Sequence, residues 1–163
     1  MLNLSGVLIK QAKEKVKSMV KGFNYVTHTE VYVGITEETD VERESGITNA
    51  QLLYLQENGV PSHNIPPRPV IAPALDQDEV KDKMKKMIRQ AMVAAIVQGN
   101  LDKAEQCYEK AGMVGRDACK KYITDGDKLT PNSPATIAKK GSSTPLIDTS
   151  SMLNSITYAV RRK

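Results

Sequence analysis

The feature that most constrains the fold of this chain is the stretch ENGVPSHNIPPRPVIAPALD, residues 57–76. It holds five prolines, at positions 61, 66, 67, 69 and 73. Because proline fixes φ and lacks an N–H donor, it interrupts helices and central strands. We therefore expect the proline-rich segment, residues 60–75, to be an extended, non-helical arm. Within it, Arg68 is expected to be held by a carboxylate or by carbonyl groups.

Residues 1–22 show the pattern of an amphipathic N-terminal helix. Apolar residues recur there at helical spacing, with lysines on the other face. These apolar residues are Leu4, Leu8, Ala12, Val16 and Met19. Gly22 follows, and glycine commonly ends a helix. Residues 23–163 are then expected to form a single domain.

Capping signals and periodicity predict two long helices in the middle of the chain. Asp76 is expected to cap a helix of about twenty residues, which Gly99 ends. Asn100 can cap a second long helix, which runs to about residue 124. Gly112 and Gly115 lie inside it and either allow a close approach or mark a break. The short connection predicts that the two helices are antiparallel.

Two strands and a short helix complete the predicted fold. The segments THTEVYVGI and NSITYAVRR alternate apolar and polar residues, as half-buried strands do, and we expect them to pair. Thr48 and Gln51 form a capping box for a short helix that Gly59 closes. The fold class is therefore α+β, with a small antiparallel sheet packed on two long antiparallel helices. Residues 36–47 are expected to form an acidic loop and residues 125–155 an irregular loop region.

The charged residues are unevenly distributed along the chain, whose net charge is +4. Two sets are candidate charged contact surfaces. The acidic set is Glu37, Glu38 and Glu42, and the basic set is Lys81, Lys85 and Arg89. The basic set has the spacing of one helix face, so a nucleic-acid-binding protein that uses residues 80–90 is an alternative function. That alternative lacks aromatic stacking platforms and every named DNA-binding motif.

No catalytic constellation is visible in the sequence. The patterns of metal proteases, phosphate-binding loops, dinucleotide-binding turns and serine hydrolases are absent. Cys107 and Cys119 are expected to be buried thiols, and Asp148 with its neighbouring hydroxyls is the weakest candidate for an enzyme. We expect a protein that is not an enzyme, with no metal and no cofactor. With no signal-peptide pattern and no long apolar run, we expect no membrane contact.

Two stretches of the chain resemble a known family. They are LLYLQENGVPSHNIPPRPVIAPALD and KLTPNSPATIAKKGSSTPLIDTSSMLNSITYAVR. In this order and around a helical middle, they resemble the virion-morphogenesis, neck and tail-completion proteins of long-tailed bacteriophages and prophages. The resemblance covers roughly residues 28–162. At the position where the family commonly has a turn glycine, this chain has Ser150, and Val70 and Ile71 replace a common aromatic–aliphatic pair.

The resemblance implies a structural protein of the virion, assembled in the host cytoplasm. Such proteins form homo-oligomeric rings, of six or twelve copies, at the head–tail junction or the tail top. Their partners are the neighbouring head-closure or connector and tail-tube proteins, and DNA passes through the ring lumen. Carried over position by position, the family's assembly motif residues are Arg68, Pro69, Lys140, Gly141, Leu146, Asp148, Thr149, Ser155, Ile156 and Tyr158.

Overall fold

The computed structural model describes residues 4–134, 137–138, 145–146 and 150–163. Within them the predicted α+β class is confirmed. The helices are α1 (Leu4–Thr27), α2 (Asn49–Asn58), α3 (Ile71–Leu75), α4 (Asp78–Met92), α5 (Leu101–Asp125) and α6 (Ser151–Ser155), and the strands are β1 (Thr29–Ile35) and β2 (Ile156–Arg162). A 3₁₀ turn spans Pro61–His63, and a π-helical segment, Val93–Val97, directly follows α4.

The two strands pair in the antiparallel sense, as the alternating pattern predicts. The register runs from Thr29 opposite Arg162 to Ile35 opposite Ile156. The alternating apolar residues of both strands share the face that meets α5, because successive side chains of a strand point to opposite sides. Two strand boundaries are corrected, since Thr27 belongs to α1 rather than to β1, and Asn154 and Ser155 belong to α6 rather than to β2.

The two glycines inside α5 allow close packing and do not break the helix. A side chain at Gly112 would overlap the ring of Tyr158, and one at Gly115 would press on Val33. Helix α5 continues without interruption past both positions. Of the two alternatives that the sequence leaves open, the close approach is therefore right, and its partner is the sheet.

The predicted cap of the next helix is corrected. Asp76 is the C-terminal cap residue of α3, and α4 begins two residues later, after Gln77. The Asp76 carboxylate instead lies 2.7 Å from the Lys81 ammonium. A short helix that precedes α4 moves the start of α4 down the chain, because the turn between them needs its own residues.

The proline-rich segment is not extended throughout, which corrects the expectation of a non-helical arm. Residues 71–75 form α3, and Pro73 lies inside it. Proline is tolerated there because the first N–H groups of a helix have no intrahelical partner in any case. Val70 and Ala74 are fully buried, so this part of the segment packs on the body of its own chain.

Helix α1 does not end at Gly22, which corrects the predicted boundary. It continues to Thr27, one residue before β1. Gly22 is buried, and a Cβ at this position would overlap the backbone of Ala95. Glycine here lets α1 cross the π-helical segment at close range, since it has no side chain to separate the two backbones.

The core has two neighbouring clusters. The first joins the end of α1 to the region between α4 and α5, and its buried members include Tyr25, Ala91, Ala94, Ala95, Ala104, Cys107 and Tyr108. The second lies under the proline-rich segment and the start of β2, and its buried members include Val70, Ala74, Cys119, Ile123, Leu129 and Ile156. The second cluster therefore joins residues from both stretches that carry the family resemblance.

Candidate assembly surfaces

Arg68 is buried and anchored inside its own chain. Its Nε donates to the carbonyl oxygen of Thr130 at 2.7 Å, and its Nη2 donates to that of Pro131 at 3.1 Å. Its Nη1 donates to Oε1 of Gln56 at 3.2 Å. Burial lowers the pKa of this guanidinium. Of the two expected kinds of partner, a carboxylate or carbonyl groups, the structure shows carbonyl groups. This one side chain links two segments that are 62 residues apart.

Glu57 is an anchor that the sequence pattern did not single out. Its Oε1 accepts from the backbone N–H groups of Val70 at 2.7 Å and Ile71 at 2.8 Å. A carboxylate at this place satisfies N–H groups at the start of α3, where no residue of that helix can cap it. The sequence signal was the proline run itself, because a helix that starts there needs a cap from elsewhere in the chain.

Asn49 forms a second link between distant segments of the same chain, which the sequence did not predict. It is fully buried, and its Nδ2 donates to the hydroxyls of Ser151 and Ser155, both at 2.9 Å. The contact fixes α2 to α6. A buried amide is stable only when its hydrogen bonds are made, so this pair specifies one arrangement of the two helices.

Four of the proposed assembly motif residues lie outside the described residues, and six lie within them. The four are Lys140, Gly141, Asp148 and Thr149. Of the six, Ile156 is fully buried and Leu146 packs partly against the second cluster. The ring of Tyr158 packs against Gly112, and Ser155 accepts from Asn49. Pro69, beside Arg68, is exposed.

Ser150 adopts the left-handed backbone conformation, with φ of 59°. This region favours glycine, because a Cβ crowds the following carbonyl. The resemblance places a turn glycine at this position in the family. Ser150 thus adopts a backbone conformation that glycine favours, at a cost in conformational energy.

A cleft of about 660 Å³ lies beside Arg68. Its walls come from α2, the proline-rich segment, the turn at residues 131–133 and the start of α6. Among the described residues that line it, Arg43 and Arg68 are the two cations. Because Arg68 is already bonded to two carbonyl groups and an amide, its role in the cleft wall is to hold the turn at residues 130–131 in place.

The three acidic contact residues lie on the surface. Glu37, Glu38 and Glu42 are all exposed, and they follow β1 in a loop closed by a bridge between Glu42 and Thr48. Nearby Asp40 accepts from the Ala50 N–H, and its hydrogen bond with Thr48 is the main cause that lowers its pKa. The acidic loop is thus folded back on the start of α2, with its glutamates directed outward.

The basic contact residues of α4 do not form one continuous free stripe. Lys81 is paired with Asp76, while Lys85 and Arg89 are exposed. Arg89 instead lines a groove of about 470 Å³ between α4 and α5. The other cations of this groove are Lys86, Lys103 and Lys110, and no carboxylate is among the described residues that line it.

The apolar face of α1 is exposed, as are all residues from 6 to 21. We define the α1 stripe as the exposed residues Ile9, Ala12, Val16, Val20 and Phe23. Val16 is 59% and Phe23 60% exposed. The amphipathic pattern correctly indicates a helix, but its apolar face is not part of either core cluster.

Neither the two cysteines nor the acidic and histidine side chains of the described residues form a metal site. Cys107 and Cys119 are free and buried, which confirms that prediction, and burial raises the pKa of the Cys119 thiol to about 12. Across the described ranges, no three His, Cys, Asp or Glu side chains are grouped as metal ligands would be. None of the described helices is both long enough and apolar enough to span a membrane.

Comparisons of the chain with protein-family models, with curated proteins and with solved structures found no match.

Proposed function

We propose that this chain is a structural virion protein of a tailed bacteriophage or prophage. In this proposal it forms a homo-oligomeric ring at the head–tail junction or the tail top, completes the tail and allows the head to join. It acts without catalysis, metal or cofactor. Its partners are head-closure or connector and tail-tube proteins, and DNA passes through the lumen. The proposal includes the fuller architecture, a sheet on two long antiparallel helices, with the proline-rich segment packed on its own chain.

The observation that carries the proposal is the direct contact between the two resemblance-bearing stretches. Arg68, in the first stretch, donates to Thr130 and Pro131, in the second. The Thr130 hydroxyl in turn donates to the Pro67 carbonyl at 3.3 Å. Residues that resemble one family in two distant stretches and then pack together form one structural unit, as a shared assembly motif requires.

Distribution of charge and uncovered surface also supports a ring. A ring subunit presents two unlike surfaces that meet head to tail, and the rotation between subunits closes the circle. This chain has an exposed acidic loop, a basic groove and an uncovered apolar helix face. A two-stranded sheet is also marginal by itself and gains from a neighbour.

Native mass spectrometry and negative-stain microscopy of the full chain at high protein concentration test this function. We expect closed rings of one copy number. We also expect the protein in purified tailed particles from cells that encode it. A strictly monomeric chain that is absent from such particles would overturn the proposal.

A second function, binding to a polyanion such as DNA, is favoured by the groove between α4 and α5. The described part of its lining holds four cations and no carboxylate, so phosphates would meet a positive surface there. The groove shares only Arg89 with the stripe predicted from the sequence.

Fluorescence anisotropy with duplex DNA at several salt concentrations tests this second function. Replacing Arg89 and Lys103 by glutamate is expected to abolish binding. The matched control is Lys81→Glu, because Lys81 lies outside the groove lining and pairs with Asp76. Each lost phosphate contact lowers the salt slope by about one. Equal losses in the groove variant and the control would contradict a site in the groove.

A further inference from the structure

We propose that the α1 stripe docks on the outer face of the β1–β2 sheet of a second copy of this chain. This inference rests on the proposed ring and names the two surfaces that join its neighbouring subunits. The part of the outer sheet face next to the acidic loop consists of Tyr32, Gly34, Thr157 and Ala159, and the charged pair Glu30 and Arg161 lies at its far end.

The α1 stripe points away from the body of its own chain. Gly22 and Tyr25 pack on the first core cluster, and Ser18 lies against Gly99. At 3.6 residues per turn, Val16 and Val20 lie roughly 160° around the helix from Ser18 and Gly22. The four residues Ile9, Ala12, Val16 and Val20 line one shallow apolar surface with Lys13 and Lys17 at its margin. Helix α1 thus has two opposite faces. The face with Ser18 and Gly22 packs within the chain, and the α1 stripe does not.

The outer sheet face is the second open surface. The inner face packs on α5, where Tyr158 meets Gly112 and Val33 meets Gly115. Alternation places Tyr32 and Ala159 on the opposite side, and Tyr32 is 47% exposed. A Cβ built at Gly34 meets no atom within 4 Å. Among the described elements, the helix with extensive contacts to the sheet is α5, on the inner side.

A chain cannot cover its own sheet with its own α1 stripe. Helix α1 ends at Thr27 and β1 begins at Thr29, so the connection is a single residue. The end of α1 is held at Gly22 by the Ala95 backbone, and the Tyr25 hydroxyl donates to Glu105 at 2.9 Å. The stripe and the sheet face of one chain are therefore both open, and a contact between two copies covers both.

Charge favours this occupant. Helix α1 carries five lysines against one glutamate, at positions 10, 13, 15, 17, 21 and 14. The acidic loop that directly follows β1 has the opposite charge, with five carboxylates and one arginine between residues 37 and 44. A stripe laid on the outer sheet face brings the lysines of one copy to the carboxylates of the next. Such complementarity fixes the register of an interface.

Pairing of one α1 stripe with another is disfavoured by the same charges. Lys13 and Lys17 border the stripe, so two stripes face to face would bring like charges together at the rim of a largely desolvated contact. Docking on the sheet is a heterologous contact, since each copy offers a helix on one side and a sheet on the other. Heterologous contacts build rings when the rotation closes.

A mixing experiment on the full chain, followed by native mass spectrometry, tests the proposal. The helix variant is Ile9→Ser with Val16→Ser, and the sheet variant is Thr157→Arg. Each alone is expected to reduce the assembled fraction by about tenfold or more, because the stripe loses apolar contact or meets a repelling charge. Their mixture is expected to give one-to-one heterodimers, in which the intact α1 of the sheet variant binds the intact sheet of the helix variant. Thermal unfolding followed by circular dichroism checks that both variants fold.

Each other outcome has a defined meaning. Assembly that survives in the sheet variant but not in the helix variant would overturn docking on the sheet and indicate pairing between stripes. A monomeric wild-type chain that sediments with vesicles containing anionic phospholipid would overturn it in favour of a membrane surface. Closed rings that neither variant disturbs would retain the proposed function and overturn this docking. Heterodimers from the mixture without closed wild-type rings would retain the docking and overturn the ring.

Discussion

The two ends of α1 belong to one helix but have opposite surroundings. Residues 22–27 cross the π-helical segment at close range, with Gly22 and Tyr25 buried. Residues 6–21 are exposed throughout, although they carry the longer apolar pattern. Apolar periodicity therefore indicates that a helix has an apolar face. It does not indicate whether that face packs on its own chain or on another molecule.

Among the substitutions that test this difference between the two ends of α1, Gly22→Ala is expected to change the free energy of unfolding most. The added Cβ meets the Ala95 backbone, which cannot rotate away as a side chain can. We expect a loss of about 3 kcal/mol in the free energy of unfolding, measured by urea denaturation. The matched control is Gly6→Ala in the exposed end of the same helix. There we expect a gain of about 0.5–1 kcal/mol, because alanine favours the helix. Equal effects at both positions would contradict the close crossing.

Arg68→Ala tests a residue whose contacts lie within its own chain, in contrast to the exposed α1 stripe. Removing the guanidinium leaves two carbonyl groups without their donors, in a partly buried place. We expect a loss of about 2 kcal/mol in the free energy of unfolding. Arg68→Lys should recover only part of it, since one ammonium cannot reproduce the fork geometry. If Arg68→Ala left stability unchanged but abolished assembly, this residue would belong to an interface instead.

Tyr25→Phe tests how firmly the packed end of α1 is held. Burial, with the hydrogen bond to Glu105, raises the pKa of Tyr25 from 10.0 to about 12. The protonated hydroxyl is thus favoured in the folded state, and its contribution is complete below pH 10 and is lost as the pH rises to about 12. At about pH 9 we expect the wild type to be more stable than Tyr25→Phe by about 1 kcal/mol. That difference should shrink as the pH rises toward 12. A pH-independent difference would show that this tyrosine does not titrate with folding.

The smallest effect on stability is expected from Val16→Ser, in the open end of the helix. Because Val16 is exposed in the isolated chain, its replacement should change the unfolding free energy of the dilute protein by no more than about 0.5 kcal/mol. Concentration-dependent sedimentation should nevertheless show weaker self-association. A large loss of stability in dilute solution would mean that the stripe is buried within the chain.

Local signals in the sequence were enough for much of the fold. The capping box of Thr48 and Gln51, the closing Gly59 and the pairing of the two strands are all confirmed. These depend on neighbouring residues or on simple alternation. The continuation of α1 through Gly22 and the helix around Pro73 depend instead on distant partners, Ala95 and Glu57. No local pattern contains that information.

The candidate surfaces were predicted less completely than the fold. Arg68 was expected to be held by a carboxylate or by carbonyl groups, and the structure shows two carbonyl groups, those of Thr130 and Pro131. The positive stripe on α4 was only partly right as a surface, because Asp76 pairs with Lys81 and the groove draws its other cations from α5. Residues such as Asp148 lie outside the described residues, and their assembly role stays a prediction.

Disulfide trapping between two copies tests the account most directly. One protein carries Val16→Cys and the other carries Ala159→Cys, and the two native thiols are buried. Mixed under mild oxidation, they are expected to give a cross-linked dimer that neither protein forms alone, because only a helix of one copy on the sheet of the next brings these positions together. A dimer that forms equally well from the Val16→Cys protein alone, or a mixture that stays monomeric, would contradict docking of α1 on a neighbouring sheet.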